Sequence, residues 1–392
     1  MATGRLRVAF RPDRGTDRLV FRLWPNAPTQ RAEGADLSVT DVRSVDGSHS
    51  ISTGSPDRTT LEVLPSPPLA AGDRIAVALR WRLRLPGSVL DRLSTGPDLA
   101  ILGSFFPILA WQPGKGWATD PPTTALAEAS TSPTADFDVR IRTAPTDLRV
   151  LATGTEVAPG DWKAVAVRDF ALAAGRFSIS RTTVSLPHRA TVTVGVQSGV
   201  HIGAGAFTRQ VADALVDLRA TYGPYPWSGL SVVVTPNLER SGIEYPNMIF
   251  EGAQGLQRVT THEVAHQWYY SLVGNDQARD PWLDELLATY ASSRRDGILP
   301  YFRRLHFRGV ARNHVGSPMS FWDHHATQYE PGVYFRGVQA LLTLGSPESI
   351  DCALRAYVAS NAYGIAEPDD LLRALSSVFP NAREELSRFG IP

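Results

Sequence analysis

The stretch THEVAHQW, residues 261–268, decides how the rest of the chain is read. His262 and His266 stand four apart, which on a helix puts them one turn apart on a single face. Two imidazoles so placed can share one zinc ion, which takes nitrogen ligands at about 2.0–2.1 Å. Glu263 starts the next step around the helix and is the candidate general base. The surrounding GLQRVTTHEVAHQWYYSLVG (255–274) lacks proline and keeps glycine to its ends, so it predicts a helix. Taken alone, the motif is equally compatible with two surface histidines and a solvated glutamate.

A third ligand is needed, and the chain downstream offers one. DPWLDELLATYASSRRD (280–296) predicts a second helix, opened by Pro281, Trp282 and Leu283. Glu285 lies on it, with eighteen residues between it and His266. Two histidines and one glutamate leave a fourth position open, as a catalytic zinc site requires. Asp284 points about 100° away on a helix and reads as a supporting or solvated acid.

The 392 residues carry 39 basic and 39 acidic side chains, so no bulk charge draws the chain to nucleic acid or an anionic membrane. Apolar residues make up 43% and charged residues 20%, an ordinary globular balance for two or three domains. The longest mostly apolar run, LAILGSFFPILAW (99–111), is too short to span a bilayer and contains a proline. MATGRLRVAF lacks the apolar core of a signal peptide, which fits a cytoplasmic protein or a mature exported one. A single cysteine, Cys352, excludes internal disulfides and multi-cysteine zinc sites, and its surroundings read as those of a small buried hydrophobe.

The first half alternates with period two. In RIAVALRWRLRL (74–85), Val77, Leu79, Trp81, Leu83 and Leu85 oppose Ala78, Arg80, Arg82 and Arg84. FDVRIRT (137–143), KAVAVRD (163–169), RFSISRTTVSL (176–186) and TVTVGVQ (191–197) continue the pattern. Near residue 186 the character changes to helix, as in GAFTRQVADALVDLRATYG (205–223), whose Val211, Leu215 and Leu218 share a face. The expected fold is α+β: an antiparallel β-sandwich-like domain over residues 1–185, then a mainly helical domain over 186–392. TTALAEASTSPTAD (123–136) reads as a surface loop.

The spacing His-Glu-x-x-His, eighteen residues, then Glu within WLDE resembles the gluzincin metallopeptidases of the aminopeptidase N (membrane alanyl aminopeptidase) family. SGIEYPNMIF (241–250) is similar to that family's Gly-x-Met-Glu-Asn motif, with Glu244 on its glutamate, Ile243 for Met and Tyr245 for Asn. YGPYPWSGLSVVVTP (222–236) resembles the strand before that motif, and SFFPILAWQPGKGW (104–117) the family's N-terminal domain. VYFRGVQALL (333–342) resembles the Tyr-x-Lys-Gly segment, with Tyr334 on the catalytic tyrosine and Arg336 where lysine is usual.

The resemblance implies a thermolysin-like catalytic domain and a zinc-dependent peptidase, most simply an aminopeptidase acting on peptides with a free N-terminus. One Zn2+ per chain would be held by His262, His266 and Glu285. Glu263 would be the base, Tyr334 the oxyanion donor (with Tyr329 its rival), and Glu244 the group binding the substrate α-amine. Gly242 and Tyr245 would line the substrate, Gly242 by letting backbone approach closely. The chain would be a short form without the large C-terminal helical domain, and an extracytoplasmic mature protein is favoured over a cytoplasmic one. The rivals are an endopeptidase, another hydrolase on the same zinc, and a non-catalytic peptide-binding protein. His324 and His325 are adjacent, cannot chelate together on a helix, and read as a polar loop near the cleft mouth.

Overall fold

The computed structural model describes residues 1–87, 92–96, 98–124, 131–185 and 189–392. They form two compact units, Met1–Pro133 and Thr134–Pro392. The division expected at 185/186 lies inside the second unit, and residues 186–188 fall outside the described ones. The expected loop at 123–136 is described only in part, since residues 125–130 also fall outside.

The first unit is antiparallel. Its first six strands are β1 (Ala2–Phe10), β2 (Leu19–Arg22), β3 (Asp36–Ser44), β4 (Ser50–Asp57), β5 (Thr60–Ser66) and β6 (Ile75–Arg84). One sheet runs β1-β6-β3, another β4-β5-β2 with Ile108–Leu109 at its edge. Alternation in β6 does what the sequence predicts: Ile75, Val77, Leu79 and Leu83 are buried, while Arg80, Arg82 and Arg84 are exposed. Trp111 and Trp117 face each other across a short hairpin, and both rings pack on Phe10, with centroids 5.4 and 5.5 Å away.

The second unit is built on a mixed sheet. Its strands are β7 (Phe177–Ser185), β8 (Arg189–Gln197), β9 (Gly229–Thr235), β10 (Gly242–Tyr245) and β11 (Met248–Gly252), in the order β7-β8-β9-β11-β10. Strand β9 lies parallel to both neighbours and is buried almost throughout, which explains the unbroken apolar run LSVVV. Strand β10 turns back along β11 as an antiparallel edge, with Glu244 opposite Ile249. Pro246 and Asn247 make the two-residue turn, and Asn247 takes the positive φ (58°) that asparagine tolerates well.

Helices complete this unit: α1 (Ala204–Tyr222), α2 (Arg258–Ala265), α3 (Trp282–Arg295), α4 (Gly337–Leu344) and α5 (Pro347–Asn361). Val211, Leu215 and Leu218 are buried on α1, as their spacing predicts. On α5 the buried face is Ile350, Ala353, Leu354, Tyr357 and Val358. Cys352 falls about 200° from Ile350 and is exposed, which corrects the buried reading of its thiol. Among the described residues, no helix is long and apolar enough to cross a membrane.

Candidate active site

Helix α2 is shorter than the 255–274 expected, and its end shapes the site. It stops at Ala265, with His266 as its cap and still in helical conformation. The amides of Ser271, Leu272 and Val273 then reach back five residues, to the carbonyls of His266, Gln267 and Trp268. Tyr270 takes a φ of 119° within this wide turn. The turn delivers the Tyr269 carbonyl to His266 Nδ1 at 3.0 Å. With its proton on Nδ1, His266 donates there and turns the Nε2 lone pair toward His262 and α3.

Three donor atoms converge at that point. His262 Nε2 lies 3.0 Å from His266 Nε2, and each lies 3.3 Å from Glu285 Oε2. A tetrahedral ion with bonds of about 2.0–2.1 Å has ligand atoms about 3.4 Å apart, so the donor triangle has the dimensions of a zinc site. Glu285 sits in the first turn of α3, where the helix dipole favours a carboxylate. Burial would raise its pKa, but His266 and His262 hold it well below the usual range.

The charge balance also fits a cation. Burial works against a proton on His266, yet Glu244, Glu285 and Glu263 around it raise its pKa well above the ordinary value. His262 is shifted down, chiefly by burial. A pocket with so many carboxylates favours positive charge, which a divalent ion would supply while both imidazoles stay neutral.

Glu263 is almost fully buried, and its Oε2 has no hydrogen-bond partner among the described residues. Burial raises its pKa, and the neighbouring Glu244 and Glu285 add to the effect despite His266. That shift suits a group that must take and return a proton near neutrality. Glu244 belongs to the same cluster: one carboxylate oxygen each of Glu244 and Glu263 and one nitrogen of His266 lie within 4.8 Å of one another. Alternation along β10 puts Gly242 and Glu244 on one face, with Ile243 and Tyr245 on the other. Tyr245 is accordingly fully buried, its ring 5.6 Å from that of Phe250.

Gly242 packs directly against Glu263. A Cβ there would lie 2.4 Å from Glu263 Oε1 and 2.5 Å from its carboxyl carbon. Glycine therefore makes room for the carboxylate of Glu263. Replacing Gly242 by Ala is expected to displace that carboxylate and reduce kcat by about 10²-fold, the scale for a misplaced catalytic group. Circular dichroism should remain native-like, and steady-state hydrolysis of an aminoacyl amide checks the rate.

Tyr334 comes from a different kind of element. Residues Glu330–Arg336 form a wide π-helical turn that feeds α4. The Tyr334 ring stacks on His262 at 5.8 Å and 20°, and burial, with the Glu285 carboxylate adding to it, holds its hydroxyl pKa well above the ordinary value. Tyr329 instead meets Tyr334 edge-on at 5.6 Å, so it stands one ring further from His262. Gly337 allows this arrangement, since a Cβ there would lie 2.5 Å from Leu286 Cδ1 on α3. Gly337→Ala is expected to cost about 1–3 kcal/mol by overpacking, read as a lowered Tm in a thermal melt.

Several residues depart from a simple reading of their motifs. Arg336 points away from the site: its Nε donates to the Arg312 carbonyl at 2.9 Å and its guanidinium lies over Phe389. Asp284 is buried, donating nothing but accepting from Gln277 Nε2 and the Glu285 amide, at 3.0 and 2.8 Å. His324 and His325 sit on a kinked 3-10 stretch away from the donor triangle. Gln267 escaped notice in the sequence. Its Nε2 donates to the Tyr245 carbonyl and its Oε1 accepts from the Asn247 amide, both at 3.0 Å, so it pins β10 to α2. The signal for it was a polar residue at a buried position immediately after His266.

No family model matches the chain. Mouse aminopeptidase RNPEPL1 is 30% identical over 197 residues, 42% of this chain and 27% of that protein. Human aminopeptidase B is 25% identical over 193 residues, covering 42% of this chain and 30% of its own length. The match thus spans less than a third of either relative. Among solved structures, the M1 zinc metallopeptidase of Deinococcus radiodurans matches 98% of this chain and 90% of its own, with TM-score 0.65 and 16% identity. Legionella pneumophila aminopeptidase A matches 99% of this chain and 47% of its own, with TM-score 0.69 and 14% identity. The fold is that of these M1 zinc metallopeptidase structures. The aminopeptidase relatives and these structures are what the chain is similar to, and they do not single out the aminopeptidase N branch.

Proposed function

We propose that the chain is a zinc-dependent aminopeptidase that releases N-terminal residues from peptides. The observation that carries this reading is Glu244, an acid on the edge strand whose carboxylate lies beside Glu263 and His266. A carboxylate there can accept a charge-assisted hydrogen bond from a free α-ammonium and so fix the scissile bond one residue from the chain end. Strand β10, at the sheet edge, offers backbone pairing to an extended peptide. The Deinococcus enzyme, solved bound to a Tyr-Ser-Ala substrate, supports a peptide ligand on this fold.

His262, His266 and Glu285 would hold the ion, which supplies Lewis acidity toward the scissile carbonyl and toward water. Glu263 takes the proton of the attacking water on its unpartnered Oε2 and returns it to the leaving amine. The Tyr334 hydroxyl, kept protonated by burial and the Glu285 carboxylate, donates to the oxygen that gains negative charge. Burial of the cluster strengthens each of these interactions.

Paired peptides with free and N-acetylated termini test the reading. Acetylation is expected to reduce kcat/KM by at least about 10²-fold, the scale of a lost charged contact in a buried site. Glu244→Gln should shrink that discrimination. Equal cleavage of both peptides would show an endopeptidase instead.

A further inference from the structure

The chain is electrically neutral as a whole, but one stretch of it is not. Between Asp296 and Asp323 there is no acidic residue, while Arg303, Arg304, His306, Arg308, Arg312 and His314 all fall there. Among the described residues none of these four arginines is in an ion pair, and neither is Arg336. Three of these arginines gather at one place. Arg303, Arg312 and Arg336, with His306, line a cleft of about 510 Å³ that contains no carboxylate.

The cleft is built rather than incidental. The guanidinium of Arg336 lies 4.2 Å over the ring of Phe389 and 5.5 Å over that of Phe307. Its Nε is fixed by the Arg312 carbonyl, and Gln339 holds its far side. Gln339 in turn donates to the carbonyls of Phe302 and Leu305, at 3.0 and 3.1 Å. Partial burial and the Arg312 charge both disfavour the cation at Arg336, a tension that a bound anion would relieve. None of the lining residues is a metal donor, and Arg336 points the opposite way from Tyr334 on the same wide helix.

We propose that this cleft binds a small phosphate-bearing anion at a site separate from the peptidase centre. Guanidinium forks match phosphate bidentately, and a volume of a few hundred cubic ångströms suits a small molecule. Two arginines beside the stacked one favour a ligand with two phosphate groups over one with a single phosphate.

Isothermal titration of the full chain with fructose 1,6-bisphosphate, in 0.15 M salt, provides the test. The readout is binding heat, so it does not depend on zinc or on peptidase activity. Saturable one-to-one binding is expected, weakened at least about tenfold in the Arg303→Gln/Arg312→Gln double variant, whose substituted side chains are exposed. Arg336→Lys, which keeps charge but loses the planar fork, should weaken it as well. Arg80→Gln/Arg82→Gln, on the exposed face of β6, should leave it unchanged. Absence of saturable binding, or equal loss in the β6 variant, overturns the assignment. Cosedimentation with vesicles containing phosphatidylinositol 4,5-bisphosphate, without binding of the sugar bisphosphate, would overturn a soluble ligand in favour of a lipid headgroup.

Discussion

Glu263→Gln is expected to lower kcat for an aminoacyl amide by about 10²–10⁴-fold while the protein keeps its zinc. The substitution preserves the shape of the side chain, so the close packing on Gly242 survives. What disappears is the lone pair on a buried, unpartnered oxygen that can take a proton. KM should change little, because the role proposed for Glu263 is on the water rather than on the peptide. Metal content by elemental analysis separates loss of the base from loss of the ion. A zinc-replete variant with near-normal turnover would falsify the assignment.

Tyr334→Phe is expected to cost about 10²–10³-fold in kcat, the usual scale for removing one oxyanion donor. The phenyl ring can keep its stacking on His262, so the donor triangle should persist. Only the buried hydroxyl, held protonated at ordinary pH, is lost. Tyr329→Phe is the control, since that ring meets Tyr334 edge-on while the Tyr334 ring is the one stacked on His262. If both variants lose activity equally, the oxyanion role does not belong to Tyr334. A loss confined to KM would instead mark Tyr334 as a substrate-contact residue.

Much of this architecture was legible in the residues. Alternation along β6 and the apolar run in β9 predict strands because burial on one face or two imposes those patterns directly. The candidate metal-binding triad was legible for a similar reason: spacing on a helix fixes geometry, and His262, His266 and Glu285 do converge. What local pattern could not predict is where tertiary contacts override it. The end of α2 at His266 is made by amides reaching back five residues, a turn that no propensity dictates. The contact of Gly242 with Glu263 joins residues twenty-one apart, and Gly337 meets Leu286 across two helices. Cys352 was misread because its neighbours are apolar, although the helical period turns it to solvent. The division at 185/186 follows composition, whereas the compact units part at 133/134.

The wide helix at Glu330–Arg336 makes this site unusually sensitive to chain length. A π turn accommodates one more residue than an α turn in the same rise. Deleting a single residue there would let the segment relax into regular α-helix, the more stable form for the backbone. The same deletion would swing Tyr334 by about 100° around the axis, off the His262 ring. A shortened loop elsewhere on the surface would be absorbed. At this position a one-codon loss would leave the fold better formed and the catalyst without its hydroxyl, so insertions and deletions, more than substitutions, are the changes this segment cannot accommodate.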